Sequence, residues 1–368
     1  MSVLYVPLSA LLAGAGLAFL LCVVMVMTKG WHGKFSFDST IGVQKFHTDP
    51  TPRTGGMAFY PALWAACLLS PESVQQLFQP MLLAALPAFA FGIAEDLTKR
   101  VGVIERLLAT MASGVAAWSL TGISMGRLDV WGLDQLMTIL PVSVAFTAFA
   151  VAGVANSINI IDGFNGLAGG TLIICFLALG LVAQGTDYEL SVLCLLMAAV
   201  CFGFLIVNFP LGMIFMGDGG AYLMGFMLGW IGVLLPMRNS EVSVWTPLLI
   251  CAYPVLEVII SILRRRARQH GAGHADRLHL HSLVKSRYVR KHMAHLKPTL
   301  RNAAVSPFMW AYAMLPAVWA VIFHDNRLML IVGFAVSFVV YVLIYTRLIN
   351  FRWCFPRLFA RSHLSVRG

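Results

Sequence analysis

Apolar residues in this chain come in long, nearly unbroken runs, with polar positions gathered between them. That is neither the three-and-four spacing of a surface helix nor the alternation of a half-buried strand. A helix crossing a bilayer core needs about 20 mostly apolar residues. Runs that reach or approach this length occupy 3–27, 56–70, 80–94, 103–122, 136–155, 166–184, 190–207, 219–236, 244–263, 307–323 and 328–346. The pattern predicts an all-α, polytopic integral membrane protein with about eleven transmembrane helices. The run at 80–94 is short, so it is expected to tilt little or to end in a protein-lined cavity. The first run is too long for a signal-peptide core and has no basic residue before it, so it reads as a retained span.

The polar segments on the two sides differ. With the N-terminus placed outside and the runs alternating, all of the 26 Lys and Arg fall on the inward side except Arg127, Arg238 and Arg327. Positive residues favour the cytoplasmic side. The N-terminus is therefore expected in the periplasm and the C-terminus in the cytoplasm. This gives one multi-span domain over 1–350 with cytoplasmic loops at 28–55, 95–106, 156–165, 208–218 and 264–306, then a basic cytoplasmic tail over 351–368. In the longest loop, LVKSRYVRKHMAHL mixes basic and apolar positions. It reads as an interfacial helix or as a basic surface drawn to anionic lipid.

Composition agrees with a membrane setting. Only 11% of residues are charged, against about 25% in soluble domains, and the mean hydropathy is +0.81. The net charge of +10 belongs to arginines and lysines flanking apolar spans, so membrane lipid is the expected partner and nucleic acid is not. The seven cysteines are odd in number and mostly lie within apolar runs, which argues against a disulfide framework and against a zinc site.

Unusual residues collect in the inward loops. Asp96 stands in FGIAEDLTKR, Asp162 in NSINIIDGFNGLAGG, Asp218 in NFPLGMIFMGDGGAY and Asp276 in HADRLHLHSL. A lone aspartate at a helix end is commonly a cap, and Asp162 and Asp218, each followed by glycine, fit that role. Their neighbours favour more. Asn156, Asn159 and Asn165 surround Asp162, and Asn208 precedes Asp218 in the next loop. Carboxylate and amide oxygens beside glycines suit a hard ion such as Mg²⁺, with Mn²⁺ as a substitute, shared with a phosphate. Two basic, histidine-bearing segments face the same side: Lys45, His47 and Arg53 in VQKFHTDPTPRTGG, and His274, Arg277, His279, His281 and Lys285 in HADRLHLHSLVK. Such cations suit a polyphosphate. His279 and His281 alternate, so they would share a face only in extended chain, and they lack zinc-ligand spacing. Glu257, alone within an apolar run, reads as a snorkelling or capping carboxylate. No P-loop, dinucleotide fingerprint or nucleophile elbow occurs.

Taken in order, the motifs FHTDPTPRTGG, GIAEDL, NSINIIDGFNGLAGG, NFPLGMIFMGDGG and DRLHLHSL resemble those of the polyprenyl-phosphate N-acetylhexosamine-1-phosphate transferases. The likeness runs from about Lys45 to Leu283 and is nearer to the O-antigen and wall-polymer branch than to the muramoyl-pentapeptide branch. It implies a bacterial inner-membrane enzyme with a cytoplasmic site. The enzyme would transfer a sugar 1-phosphate from a UDP-N-acetyl sugar to undecaprenyl phosphate and release UMP. It implies Asp218 and Asp162 as Mg²⁺ ligands and Glu95-Asp96 as the carboxylate pair acting on the lipid phosphate. It also implies nucleotide-side roles for Asn156, Asn159 and Asn208, with His279 and His281 on the diphosphate. Lys45, His47 and Arg53 match the first cytoplasmic loop, and Asp276 and Arg277 belong to the histidine motif. The chain departs from the family pattern at Glu95, Asn165, Met213 and Ser282, which bears on sugar preference. A homodimer through lipid-facing helices is compatible with this reading. Two other readings compete: a lipid or sugar flippase, whose folds carry polar, broken helices at mid-membrane, and an inactive scaffold of the same family.

Overall fold

The computed structural model describes residues 7–31, 51–268 and 278–351. Most of these are helical, and no strand occurs among the described residues. In chain order the helices are α1 (Leu8–Met27), α2 (Gly56–Leu68), α3 (Glu72–Ala84), α4 (Leu86–Thr98), α5 (Val103–Thr121) and the short α6 (Leu133–Met137). Then follow α7 (Leu140–Ile161), α8 (Leu167–Ala183), α9 (Tyr188–Asn208), α10 (Gly217–Arg238), α11 (Trp245–Ile250) and α12 (Ala252–Arg268). The last are α13 (Leu280–Leu283), α14 (Pro298–Ala303), α15 (Val305–Ile322) and α16 (Arg327–Asn350). Among the described residues, seven helices are long and apolar enough to cross a membrane, and an eighth if a bent pair counts as one. The described residues form an all-helical, multi-pass membrane protein.

Each expected apolar run overlaps helix, but three are broken, that at 136–155 near its start between α6 and α7. The run at 80–94 is the bend between α3 and α4, which meet at 47°. Pro87 sits in the first turn of α4, where it has no N–H to give and crowds the carbonyl four residues back. The run at 244–263 breaks between α11 and α12. There Pro254 offers no N–H to the Ile250 carbonyl, which instead accepts from the Cys175 thiol at 3.5 Å. Helix ends also differ from expectation. α7 continues to Ile161 and α4 to Thr98, so Asn156, Asn159, Glu95 and Asp96 are helical rather than in loops. Within the long inward segment, α13 runs on through a π-helical turn at Val284–Val289 and helical Arg290–His292.

α10 is the axis of the molecule. Its sequence is apolar all round, as a helix enclosed by others requires, and nearly every residue from Gly217 to Pro236 is buried. Small residues set the distances, since close approach of backbones is what drives helix association in lipid. A Cβ on Gly225 would lie 2.5 Å from Ala155 Cα on α7, and one on Gly92 of α4 would lie 2.6 Å from Gly219 Cα. The N-terminal turn of α10 is thus pressed between α2, α4 and α7.

The opposite end of α10 is tied by charge. Arg238 donates from Nε and Nη2 to Asp187 Oδ2 and Oδ1 at 2.6 and 3.0 Å, while Asp187 also caps α9 through the Leu190 N–H. Burial alone would raise the Asp187 carboxyl, but the guanidinium and the cap outweigh it and hold the group below its ordinary value. A carboxyl lowered on folding stabilises the protein above the unfolded value, about pH 4, and that stability is lost as pH falls through the folded value. In detergent, the thermal midpoint is expected to drop more on going from about pH 5 to pH 3 in the wild type than in Arg238→Gln. Parallel curves would show that the pair carries no such linkage.

Candidate active site

The first backbone N–H groups of a helix have no partner within it and carry positive potential. At α10 no side chain of the helix caps them, and aspartates from two other helices do so instead. Asp96, in the last turn of α4, accepts from Asp218 N at 2.9 Å and Gly219 N at 2.8 Å. Asp162, at the end of α7, accepts from Gly217 N at 3.1 Å. Gly217 has φ +72, and a Cβ there would also run into the Asp96 carboxylate. Only glycine suits both conditions.

With its N–H so engaged, Asp218 presents its own carboxylate to three donors. Oδ1 accepts from Arg53 Nη2 at 2.9 Å and from Asn159 Nδ2 at 3.0 Å, and Oδ2 pairs with Arg106 Nη1. The loop carrying Arg53 is laced to the one before α10: Phe215 N donates to Pro52 O, Gly55 N to Phe215 O and Gly56 N to Met216 O, at 2.8 to 2.9 Å. Arg106 lies over the Tyr222 ring at 5.6 Å, and Tyr222 donates its hydroxyl to Asn156 Oδ1 at 3.3 Å. Asn156 and Asn159 are three residues apart on α7, so both serve the same helix face.

A second cluster lies against the loop that follows Asp162. His279 caps α13 with extended backbone, φ −68 and ψ 150, and its ring stacks on that of His281 with centroids 5.2 Å apart at 7°. Glu257 of α12, wholly buried, places Oε2 at 3.2 Å from His279 Nδ1 and Oε1 at 3.3 Å from His281 Nδ1. Phe164 meets the His281 ring edge-on at 5.3 Å, and Lys285 Nζ stands 5.2 Å from the Phe164 centroid. Burial, then the nearby charges of Arg301 and Arg290, bring the Lys285 ammonium down to about 7. The turn Asp162–Asn165 therefore touches both clusters, the carboxylates through Asp162 and the histidines through Phe164.

Carboxylate and amide oxygens at Asp162, Asp218 and Asn159 have the chemistry of hard-cation ligands. Both Asp218 oxygens are held by guanidinium groups, so a divalent ion there would compete with Arg53 and Arg106. No group of three or more His, Cys, Asp or Glu among the described residues forms a preassembled metal cage.

The family model for glycosyl transferase family 4 matches residues 78–235, the stretch that supplies Asp96, Arg106, Asp162 and Asp218. Over this stretch the chain is similar to glycosyl transferase family 4. Among its relatives is decaprenyl-phosphate N-acetylglucosaminephosphotransferase of Mycolicibacterium smegmatis, 28% identical over 79% of this chain and 77% of that protein. The Mycobacterium leprae protein of the same name is 31% identical over 64% of this chain and 66% of its own length, so the match spans a little under two thirds of it. Undecaprenyl-phosphate alpha-N-acetylglucosaminyl 1-phosphate transferase of Escherichia coli K12 is 25% identical over 72% and 73%.

Of the expected site residues, Arg53, Asp96, Asn159, Asp162 and Asp218 meet directly, and Asn156 joins them through Tyr222. Lys45, His47, Asp276 and Arg277 lie outside the described residues. Glu95 turns away from its neighbour Asp96 and accepts from Val101 N at 2.8 Å. Asn165 donates from Nδ2 to Pro210 O at 2.9 Å, and Asn208 bonds Gly166 N and Ile214 O at 2.6 and 2.7 Å. In this structure both amides therefore brace the loops that carry Asp162 and Asp218.

Two expectations need correction. His279 and His281 share a face although only His279 is extended: it caps α13 while His281 lies in the first turn, and the rings come parallel. Glu257 does not snorkel: it is 0% exposed and satisfied by the histidines and by Leu280 N at 3.0 Å. Arg106 and Tyr222 were not expected at the site at all. The signal for Arg106 was available, since a cation one turn inside an apolar run marks a site at membrane depth. Tyr222 carried none.

Proposed function

We propose that the chain transfers a sugar 1-phosphate of N-acetylhexosamine type from a UDP-sugar to undecaprenyl phosphate. The product would be a lipid-linked sugar pyrophosphate that initiates a cell-envelope polysaccharide. The observation that carries this reading is the convergence of Asp96, Asp162 and Asp218 on one helix N-terminus, flanked by Arg53 and Arg106, in a chain similar to glycosyl transferase family 4. In the reaction, an oxygen of the lipid phosphate attacks the β-phosphorus of the donor. The bond from that phosphorus to the bridging oxygen breaks, and UMP leaves with the oxygen. One pyrophosphate linkage replaces another, so the work is to align two anions and offset their repulsion.

Each group then has a task. The N-terminal turn of α10 and the guanidinium groups of Arg53 and Arg106 supply positive potential for phosphate oxygens. Asp96 and Asp162 fix the direction of that turn and so the position of the Asp218 carboxylate. Asp218 and Asp162 would hold Mg²⁺, or Mn²⁺ in its place, which neutralises charge on the diphosphate when bound. An apolar cavity of about 270 Å³ between α7, α10, α11 and α12, lined by Phe146, Val154, Leu228, Val233, Trp245 and Val255, suits a prenyl chain. The reading includes eleven crossings, a periplasmic N-terminus and a site facing the cytoplasm of the bacterial inner membrane, where nucleotide sugars are made.

Purified protein with undecaprenyl phosphate and a panel of UDP-N-acetyl sugars is the test. UDP-N-acetylglucosamine is the first donor to try, because the relatives' names carry that sugar; N-acetylgalactosamine, N-acetylfucosamine and N-acetylquinovosamine donors complete the panel. UMP release is expected with at least one donor, abolished by EDTA and restored by Mg²⁺ or Mn²⁺. Folded protein that releases no UMP from any donor would overturn the reading.

A further inference from the structure

Glu257 is a carboxylate buried within an apolar helix, and such a group needs compensation wherever it stands. Its two oxygens face the same atom of two side chains, Nδ1 of His279 at 3.2 Å and Nδ1 of His281 at 3.3 Å. An ionised carboxylate only accepts hydrogen bonds, and Oε1 already accepts from Leu280 N. A lone pair at either Nδ1 would face the carboxylate's negative charge, which favours the hydrogen on Nδ1 in both rings. The two nitrogens of an imidazole lie on opposite sides of the ring, and these rings are nearly parallel at 7°. Each Nε2 therefore lies on the part of its ring turned off the carboxylate.

We infer that Glu257 is a positioning residue, whose buried carboxylate locks His279 and His281 with Nδ1 protonated and aims both Nε2 atoms at one anionic ligand, the donor's diphosphate. The identity of the ligand rests on the transferase reading; the locked tautomers do not. Charge balance adds a reason. A glutamate beside two neutral imidazoles leaves one buried negative charge, whereas a proton shared by the histidines makes the trio neutral and gives an Nε2–H⁺ donor for a phosphate oxygen. Lys285, with Nζ 5.2 Å from the Phe164 centroid, supplies a second cation at the same loop.

The surroundings are polar only where the trio needs it. On α12, Ser261 Oγ and the Tyr253 hydroxyl each stand 3.3 Å from one Nδ1, and Arg264 donates to Ser261 Oγ at 3.1 Å and to the Leu278 carbonyl at 2.9 Å. Tyr312 of α15 and Tyr341 of α16 lie near enough to feel the carboxylate's charge. No aspartate of the α10 cluster takes part in these contacts, so the device acts through the histidines alone.

The test uses full-length protein with ¹⁵N-labelled histidine, the two signals assigned by their loss in His279→Asn and His281→Asn. Wild-type shifts are expected to report Nδ1–H at both rings, and inorganic pyrophosphate is expected to move both Nε2 signals. In Glu257→Gln the amide offers one acceptor and one donor, so one ring is expected to switch to the Nε2–H tautomer. The same variant is expected to lose about 10- to 100-fold in kcat/KM for the UDP-sugar, the size of one charge-assisted hydrogen bond. The KM for undecaprenyl phosphate should hold, and the limb of the pH profile set by the imidazolium should move to lower pH. An Nε2–H tautomer at either ring of the wild type, pyrophosphate that moves neither signal, or equal losses for both substrates would overturn the inference. If the wild type releases no UMP from any donor, the transferase reading falls while the nitrogen shifts still decide the role of Glu257.

Discussion

Asp218→Asn is expected to lower UMP release by about 10³-fold or more while leaving the protein folded. The two expectations separate because the side chain and the backbone of Asp218 do different things. Its N–H, with those of Gly217 and Gly219, is what Asp96 and Asp162 hold, and the substitution leaves those bonds alone. The new amide can still accept from Arg53 and Asn159 through one oxygen. What disappears is the charge set between two guanidinium groups, and with it the electrostatic balance at the point where phosphates and a divalent ion are to meet. Arg53 is 27% exposed and Arg106 11%, so water screens part of their loss. Turnover measured beside the thermal midpoint decides the matter: a variant within tenfold of wild-type activity would remove Asp218 from the chemistry.

Gly56→Ala is expected to cost the fold itself. A Cβ on Gly56 would collide with Gly220 N and sit 2.9 Å from Gly219 C. All of these are backbone atoms of the helix that the rest of the protein encloses, so no rotamer change relieves the clash. Overpacking that side chains can absorb costs about 1–3 kcal/mol; here the backbone must move, and the loss should lie at or above the top of that range. Because Gly56 N also bonds Met216 O at 2.8 Å, any shift pulls Arg53 and Asp218 apart. Gly16→Ala is the control, since nothing lies within 4 Å of its would-be Cβ; it is expected to be neutral or slightly stabilising, alanine being the better helix former. The fraction of monodisperse protein after extraction and the melting midpoint read both variants. A Gly56→Ala protein that melts with the wild type would refute the close approach of α2 and α10.

These predictions draw unequally on sequence and structure. Asp218 stands out in the chain, because a carboxylate between glycines at the end of an apolar run is costly and rare at membrane depth. Gly56 does not, because nothing in a linear sequence says which backbone will press on which. Glu257 was visible as a charge but misread, since the two histidines that neutralise it come from more than twenty residues downstream and close over it only once α13 docks against α12 and α16.

The sequence by itself determined the class. Helices must satisfy their own backbone in lipid, so long apolar runs become spans, and the distribution of 26 Lys and Arg is what the expected orientation rests on. It also held, in order, the motifs that resemble those of a transferase family. Tertiary structure alone decided the division of labour among the polar residues. Asp96 and Asp162 look equivalent to Asp218 in the chain, yet they cap α10 while Asp218 reaches past it to Arg53 and Arg106. Asn165 and Asn208 look like ligands and brace loops. The reason is physical: burial and hydrogen-bond partners set what a polar group can do, and both come from elements far apart in sequence that meet at the first turn of one helix.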